Sequence, residues 1–130
     1  MTIKQIDWLG EAEADVLFEI DGHSLWAYCH SCDFKEGEST FADIDFLDET
    51  IGEHAFWNLN PNEINVLEPS QNDHCRYNCY GQLIKIHPVT IDCGVITFTY
   101  GDWITDKESV GRFVYFVISR LGLERSTHDA

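Results

Sequence analysis

Positive charge is what this 130-residue sequence has least of, with eight Lys and Arg against 23 Asp and Glu. The formal net charge is −15, and protonating all six histidines would bring it only to −9. Proteins that hold nucleic acids through phosphate contacts need a basic face. The composition therefore excludes an electrostatic nucleic-acid binder.

Long apolar runs and a leader segment are missing as well. No run approaches the roughly 20 apolar residues of a membrane-spanning helix, and the mean hydropathy is −0.23. Residues 1–8 show no basic stretch followed by an apolar one, which is the pattern of a signal peptide. We therefore expect a cytoplasmic protein that makes no contact with a membrane.

Motifs of common enzyme classes are absent too, among them G-x-S-x-G, H-E-x-x-H and Gly-rich phosphate loops. Cys75 would need a histidine base to act as a nucleophile, and its spacing from His23, His54 or His87 does not support one. The adjacent His74 would point to the opposite face of an extended strand. The sequence thus predicts a non-enzymatic protein without a cofactor, and a small-ligand-binding barrel or an enzyme is an alternative.

What the chain does contain is period-two alternation of apolar and polar residues, rich in β-branched and aromatic types. The predicted strands cover residues 14–20, 23–30, 40–47, 63–67, 77–87, 94–100 and 112–121. No long helical stripe is present. The sequence therefore predicts one mainly all-β domain over residues 1–130, with an irregular crossover at about 48–76 and a frayed tail at 125–130.

Short antiparallel strands in one domain favour a small β-barrel or sandwich. A long hairpin, a third strand, a crossover and further strands over residues 13–121 resemble an OB-type barrel at the level of architecture. Such a barrel implies an oligonucleotide-binding face on its second and third strands. Here those strands carry Asp43 and Asp45 but no Lys or Arg, which argues against that function.

The dipeptide Asp21-Gly22 predicts a two-residue hairpin loop, because a type I′ turn needs positive φ at both positions. That loop fixes the register, so Phe18 should lie opposite Leu25 on an apolar inner face. On the outer face, Leu17 should oppose Trp26, with Asp15 opposite Tyr28. The third strand should point Ala42, Ile44 and Phe46 inward.

The outer face would then show aromatic side chains among carboxylates. Aromatic anchors ringed by acids suit a surface that binds a basic protein, and residues 1–65 carry 15 acids and two lysines, a net of −13. The candidate partner-binding residues are Asp15, Glu19, Trp26, Tyr28, Phe41, Asp43 and Asp45. Alternatively, Trp26 and Leu17 lie beneath residues 48–76 or the N-terminal segment and form a second core.

In size, charge and strand content the chain resembles the immunity proteins of bacterial toxin systems. That resemblance implies an inhibitor that occludes a basic protein such as a toxin. A structural subunit that dimerises through an exposed edge strand, 94–100 or 112–121, is a further alternative.

The five cysteines are an odd number without a secretory signal, so we expect no disulfide framework. Cys29 and Cys32 form a C-x2-C pair, and Cys75 and Cys79 form a C-x3-C pair. Four thiolates from two such pairs would suit tetrahedral zinc, which is the metal alternative. Because free cysteine is often buried, the primary prediction is no metal.

Overall fold

The computed structural model describes residues 1–48, 60–99, 101–102 and 104–126. Within these ranges the protein is nearly all β, so the predicted fold class is confirmed. The strands are β1 (Thr2–Trp8), β2 (Ala14–Ile20), β3 (His23–Cys29), β4 (Ala42–Asp48), β5 (Val66–Pro69), β6 (Tyr77–Ile86), β7 (Val89–Asp92), β8 (Thr97–Thr99) and β9 (Phe113–Arg125). A 3₁₀ turn covers Lys107–Ser109. No helix in the described ranges is long and apolar enough to cross a membrane.

The strand pairings of the described residues do not close into a ring, so the barrel expected as one of two architectures is not formed. A barrel needs its first and last strands to pair, and no such pairing is present in these ranges. Residues 112–121 are also not a free edge. Residues 113–121 belong to β9, which pairs with β4 from Ile118 onward and has β6 as another neighbour in the sheet.

Two compact units make up the chain. The first unit comprises residues 1–48, 69–77 and 118–130, and the second comprises residues 49–68 and 78–117. The expectation of one domain over residues 1–130 stays a prediction.

In the first unit, the β2–β3 hairpin has the predicted register. Asp21 and Gly22 both have positive φ, at 50° and 80°, which confirms the tight loop. Phe18 pairs with Leu25, and both side chains are buried. Burying a phenylalanine of this kind contributes about 1.5–3 kcal/mol to folding. The hairpin therefore supplies one wall of the first unit's core.

The strand β1, also in the first unit, was not predicted, because its apolar residues are three apart rather than two. A bulge between Ile3 and Gln5 explains the spacing, since it lets Ile3 face Phe18 while Ile6 faces Val16. One extra residue in β1 thus keeps both isoleucines on the core side.

Arg125, the first residue of the tail expected to fray at 125–130, is the last residue of β9 and makes several contacts. The Arg125 guanidinium lies 3.0 Å from both Asp33 Oδ1 and Glu38 Oε1. It also lies over the Phe34 ring at 4.7 Å. The Ser126 N–H donates to the Phe41 carbonyl. Residues 127–130 lie outside the described ranges.

The second unit contains β6, β7 and β8, paired antiparallel in that order, with β5 beside β6. Its core includes Phe98 and Phe116, whose rings meet edge to face at 5.5 Å. The buried Asn60 side chain donates to the carbonyls of Ile64 and Val114, so its burial is compensated by hydrogen bonds. The strand predicted at 63–67 lies slightly later, at Val66–Pro69.

Candidate functional site

One sheet face of the first unit carries the predicted partner-binding residues. Cα pairing places Asp15 opposite Tyr28, Tyr28 opposite Gly122, and Gly122 opposite Asp45. This row crosses β2, β3, β9 and β4, and its solvent side is called the outer face below. Because β9 lies between β3 and β4, it adds Arg120 and Glu124 to the face, which sequence reasoning missed.

The predicted residues differ in how far they are exposed. Phe41 is 71% exposed and Asp43 and Asp45 are exposed, so the β4 side of the outer face is open. Ala42, Ile44 and Phe46 alternate with them and are less exposed, as predicted. Leu47 is 53% exposed and extends the open row along β4.

Toward β2 the outer face is less open. Trp26 and Tyr28 are both half-buried, and Asp15 contacts His74. Glu19 forms a loose ion pair with Lys4, at 3.8 Å. The exposed part of the predicted surface therefore lies on β4 and β9.

A hollow of about 450 Å³ lies in the outer face, around Gly122. Gly122 lines the hollow, and the carboxylate of Asp45 lies against it at the place where a Cβ would stand. Its walls include Tyr28, Asp45, Arg120 and Glu124. With Asp33 and Arg125, which also line it, the hollow brings three carboxylates and two guanidinium groups beside the Tyr28 ring.

Tyr28 is held by charged groups on both sides. The Arg120 guanidinium carbon lies 4.0 Å from the centre of the Tyr28 ring, a cation–π contact. The hydrogen bond to the Glu13 carboxylate is the main cause that raises the pKa of Tyr28, and burial adds to it. The hydroxyl therefore remains a protonated donor, and the ring face accepts a cation.

A turn at residues 73–76 covers the Trp26 part of the outer face. The Asp73 side chain accepts the Cys75 N–H at 3.0 Å, and its carbonyl accepts the Arg76 N–H at 3.1 Å. The His74 ring stacks on Trp26 with a centroid distance of 4.2 Å and an interplanar angle of 4°. The turn thus lies against Trp26, which stays half-buried, and the alternative of a second core beneath residues 48–76 stays a prediction.

His74 and Cys75 converge on Asp15, which differs from the expectation that they point to opposite faces. The expectation assumed an extended strand, whereas both residues lie in the turn. His74 Nε2 lies 2.8 Å from Asp15 Oδ2. The Cys75 thiol is 3% exposed, and its pKa is raised by burial and then by the charge of Asp15. Cys75 is therefore a neutral thiol and not an activated nucleophile.

The cysteine pairs of the zinc alternative do not gather into one ligand set. Cys29 and Cys32 interact with each other in the first unit, and the pKa of Cys29 is raised by burial and by Cys32. Cys79 belongs to the second unit, where it interacts with Cys93. Among the described residues, the one group of three or more candidate metal ligands within 4.8 Å is Asp15, His74 and Cys75.

Comparisons with protein-family models, curated proteins and solved structures find no match to this chain. The geometry of its own residues therefore carries the functional argument. Of the residues that sequence reasoning missed, Gly122 had a usable signal, since glycine inside a strand often marks a close approach of another group. His74 had none, because its position depends on the turn at Asp73.

Proposed function

We propose that this chain is a non-enzymatic acidic module that binds a basic protein through the β4–β9 part of its outer face. The single observation that carries the proposal is the exposed row on β4. Phe41, which immediately precedes β4, and Leu47 on β4 flank Asp43 and Asp45, and all four residues are exposed.

The apolar ends of this row supply contact area. Phe41 and Leu47 lose water when a partner covers them, and buried aromatic and aliphatic anchors dominate the affinity of many interfaces. In the described ranges β4 has one strand partner, β9. A partner can therefore approach β4 from its solvent side and along its edge.

The charges of the first unit supply attraction. This unit holds 15 acidic and five basic side chains, a net of −10. On the outer face, Asp43 pairs with Glu124 across the strands, and both are exposed. Two carboxylates side by side repel each other, and a cationic partner relieves that repulsion. The same field would speed the encounter with a basic protein.

The hollow around Gly122 suits one long cationic side chain. Tyr28 already receives the Arg120 guanidinium on its ring face, which supports the ring as a cation acceptor. Asp45 and Glu124 line the same hollow and would pair with the entering charge. A partner's arginine or lysine would compete with Arg120 for this position.

A module of this kind acts by covering its partner. The resemblance in size and charge to toxin immunity proteins gives the proposal a specific form, in which the basic partner is a toxin and binding occludes its active surface.

The test is a titration with a defined probe, a peptide rich in arginine and lysine with one aromatic residue, at low salt. We expect the double variant D43K/D45K to weaken binding at least about tenfold, because it reverses two charges at the proposed contact. The matched control is E68K/D102K, which reverses two exposed charges of the second unit. Equal losses in both double variants would mean that net charge alone drives binding and would overturn the proposal.

A further inference from the structure

Asp15, His74 and Cys75 bring one oxygen, one nitrogen and one sulfur ligand together in the first unit. Their ligand atoms all lie within 4.8 Å of one another. We propose that these three side chains bind one divalent transition-metal ion of the zinc class. The site is separate from the exposed row on β4, so its failure would leave the proposed protein-binding function untouched.

The turn at residues 73–76 forms the site, because it lets the neighbouring side chains of His74 and Cys75 point to the same place, which an extended strand does not allow. The Asp73 carboxylate accepts the Cys75 N–H, and the Arg76 N–H closes the turn on the Asp73 carbonyl. The Cys75 carbonyl accepts the Leu121 N–H at 2.7 Å, which ties the turn to β9. Both ligand side chains are therefore held toward Asp15 before any ion arrives.

The imidazole is oriented by groups that are not ligands. The flat stack on Trp26 fixes the plane of the His74 ring and leaves Nε2 directed at Asp15. The backbone of Trp26 is fixed in turn, since its main-chain N–H donates to the Tyr77 hydroxyl and its main-chain carbonyl accepts from that hydroxyl. Outer groups of this kind commonly orient metal-binding histidines.

The ligand types select the class of metal. Carboxylate, imidazole and thiolate together suit zinc and cobalt, whereas magnesium and calcium prefer oxygen ligands alone. On binding, the Cys75 S–H bond breaks, a sulfur–metal bond forms and the proton passes to water. The two negative ligands and the neutral imidazole then balance the double positive charge of the ion.

The site is reachable from solvent. The side chains of His74 and Asp15 are 39% and 21% exposed, while Cys75 is buried. Three protein ligands leave a fourth tetrahedral position for water or for a group of a partner protein.

The experiment is a titration of the reduced full-length protein with Co²⁺, followed by displacement with Zn²⁺. We expect one Co²⁺ per chain, with a sulfur-to-metal charge-transfer absorption that Zn²⁺ abolishes. The variant C75S should lose this absorption. D15N and H74A should each weaken Co²⁺ binding at least about 100-fold, because losing a group that only orients a ligand already weakens metal binding by up to about 100-fold.

The matched controls are C32S and H30A, which change a cysteine and a histidine of the same unit outside the group. Both should bind Co²⁺ as the wild type does. Circular dichroism checks that each variant is folded. If C75S does not fold, D15N, which preserves the shape of the site, serves as the test. Absence of the charge-transfer absorption at one equivalent would overturn the proposal. Its persistence in C75S, or its loss in C32S, would overturn it as well.

Discussion

The two units of this protein both form a core from strands with alternating residues, but their surfaces differ in charge and in exposed apolar side chains. Each buries the inward residues of alternating strands, as Phe18 does in the first unit and Phe98 in the second. The first unit carries a net charge of −10 and the second −5. Both units thus bury the inward residues of their strands, although the first carries the larger excess of carboxylates.

The exposed apolar side chains differ in the same way. Among the described residues of the second unit, the large exposed apolar side chains are aliphatic and only moderately exposed, such as Ile84 and Val110. In the first unit Phe41 and Leu47 are more exposed, and they flank two exposed carboxylates of β4. Scattered aliphatic residues are normal on any surface, whereas an organised aromatic and acidic row suggests a binding function.

Two glycines give the sharpest contrast between the units. A Cβ on Gly81 in the second unit would lie 2.6 Å from the Asp92 carbonyl oxygen and 2.7 Å from Cys93 Sγ. We expect G81A to lower the free energy of unfolding by about 2–3 kcal/mol, because backbone and buried core must shift.

The corresponding change in the first unit, G122A, meets only the end of the Asp45 side chain. That side chain is flexible and can move aside, so we expect a loss of under about 1 kcal/mol, below the range of about 1–3 kcal/mol for overpacking a core. Urea unfolding of both variants measures the two effects. Equal losses would contradict the view that the Asp45 side chain can move to admit a Cβ at Gly122 while the backbone and core around Gly81 cannot.

The ion pairs of Arg125 give a smaller effect, confined to the first unit. Its guanidinium holds the end of β9 against both Asp33 and Glu38, and all three side chains are partly exposed. We expect R125A to destabilise the protein by about 1–2 kcal/mol, between a lone surface pair and a buried one.

The control for R125A is K4A, which removes the same charge but only one loose pair with Glu19. It should cost no more than about 0.5 kcal/mol. Thermal unfolding of both variants at low salt compares them. A loss in K4A as large as that in R125A would show that net charge, and not the local network, is responsible.

Acid titration should reveal the smallest effect. The hydrogen bond from Arg125 holds the pKa of Glu38 below its usual value. Because the pKa of Glu38 is lower in the folded protein than in the unfolded one, its ionised carboxylate stabilises the fold at pH values above the unfolded pKa of about 4.3. This stabilisation is lost as the pH falls through the pKa of the folded state.

The variant E38Q should therefore be less stable than the wild type at pH 7, by under about 1 kcal/mol. The difference should vanish in strongly acidic solution. Unfolding curves at several pH values measure it. A constant difference at every pH would show that Glu38 acts through packing and not through its charge.

Much of the fold follows from local sequence. Asp21-Gly22 determines the hairpin loop, and the loop fixes the register of the two strands. That register places Phe18 on the inner face and Leu17 on the outer face. Strand β1 was not predicted, because its bulge gives Ile3 and Ile6 a spacing of three residues instead of the period of two that marks a strand.

The candidate sites could be predicted only in part, because they depend on contacts between distant segments. The sequence placed Asp43 and Asp45 on one face, which the structure confirms. It could not show that β9 enters between β3 and β4 and brings Arg120 to Tyr28, since pairing of distant strands leaves no local pattern. Nor could it show that Asp73 turns His74 and Cys75 toward one point.

The central claim, that the β4–β9 part of the outer face receives a cationic partner, is tested most directly by locating where the basic peptide binds. Nuclear magnetic resonance of the isotope-labelled protein reports the backbone amides that respond as the peptide is added. We predict that the largest shifts fall on Phe41, Asp43, Asp45 and Gly122 and disappear at high salt. Shifts spread evenly over the acidic residues of both units would contradict the account.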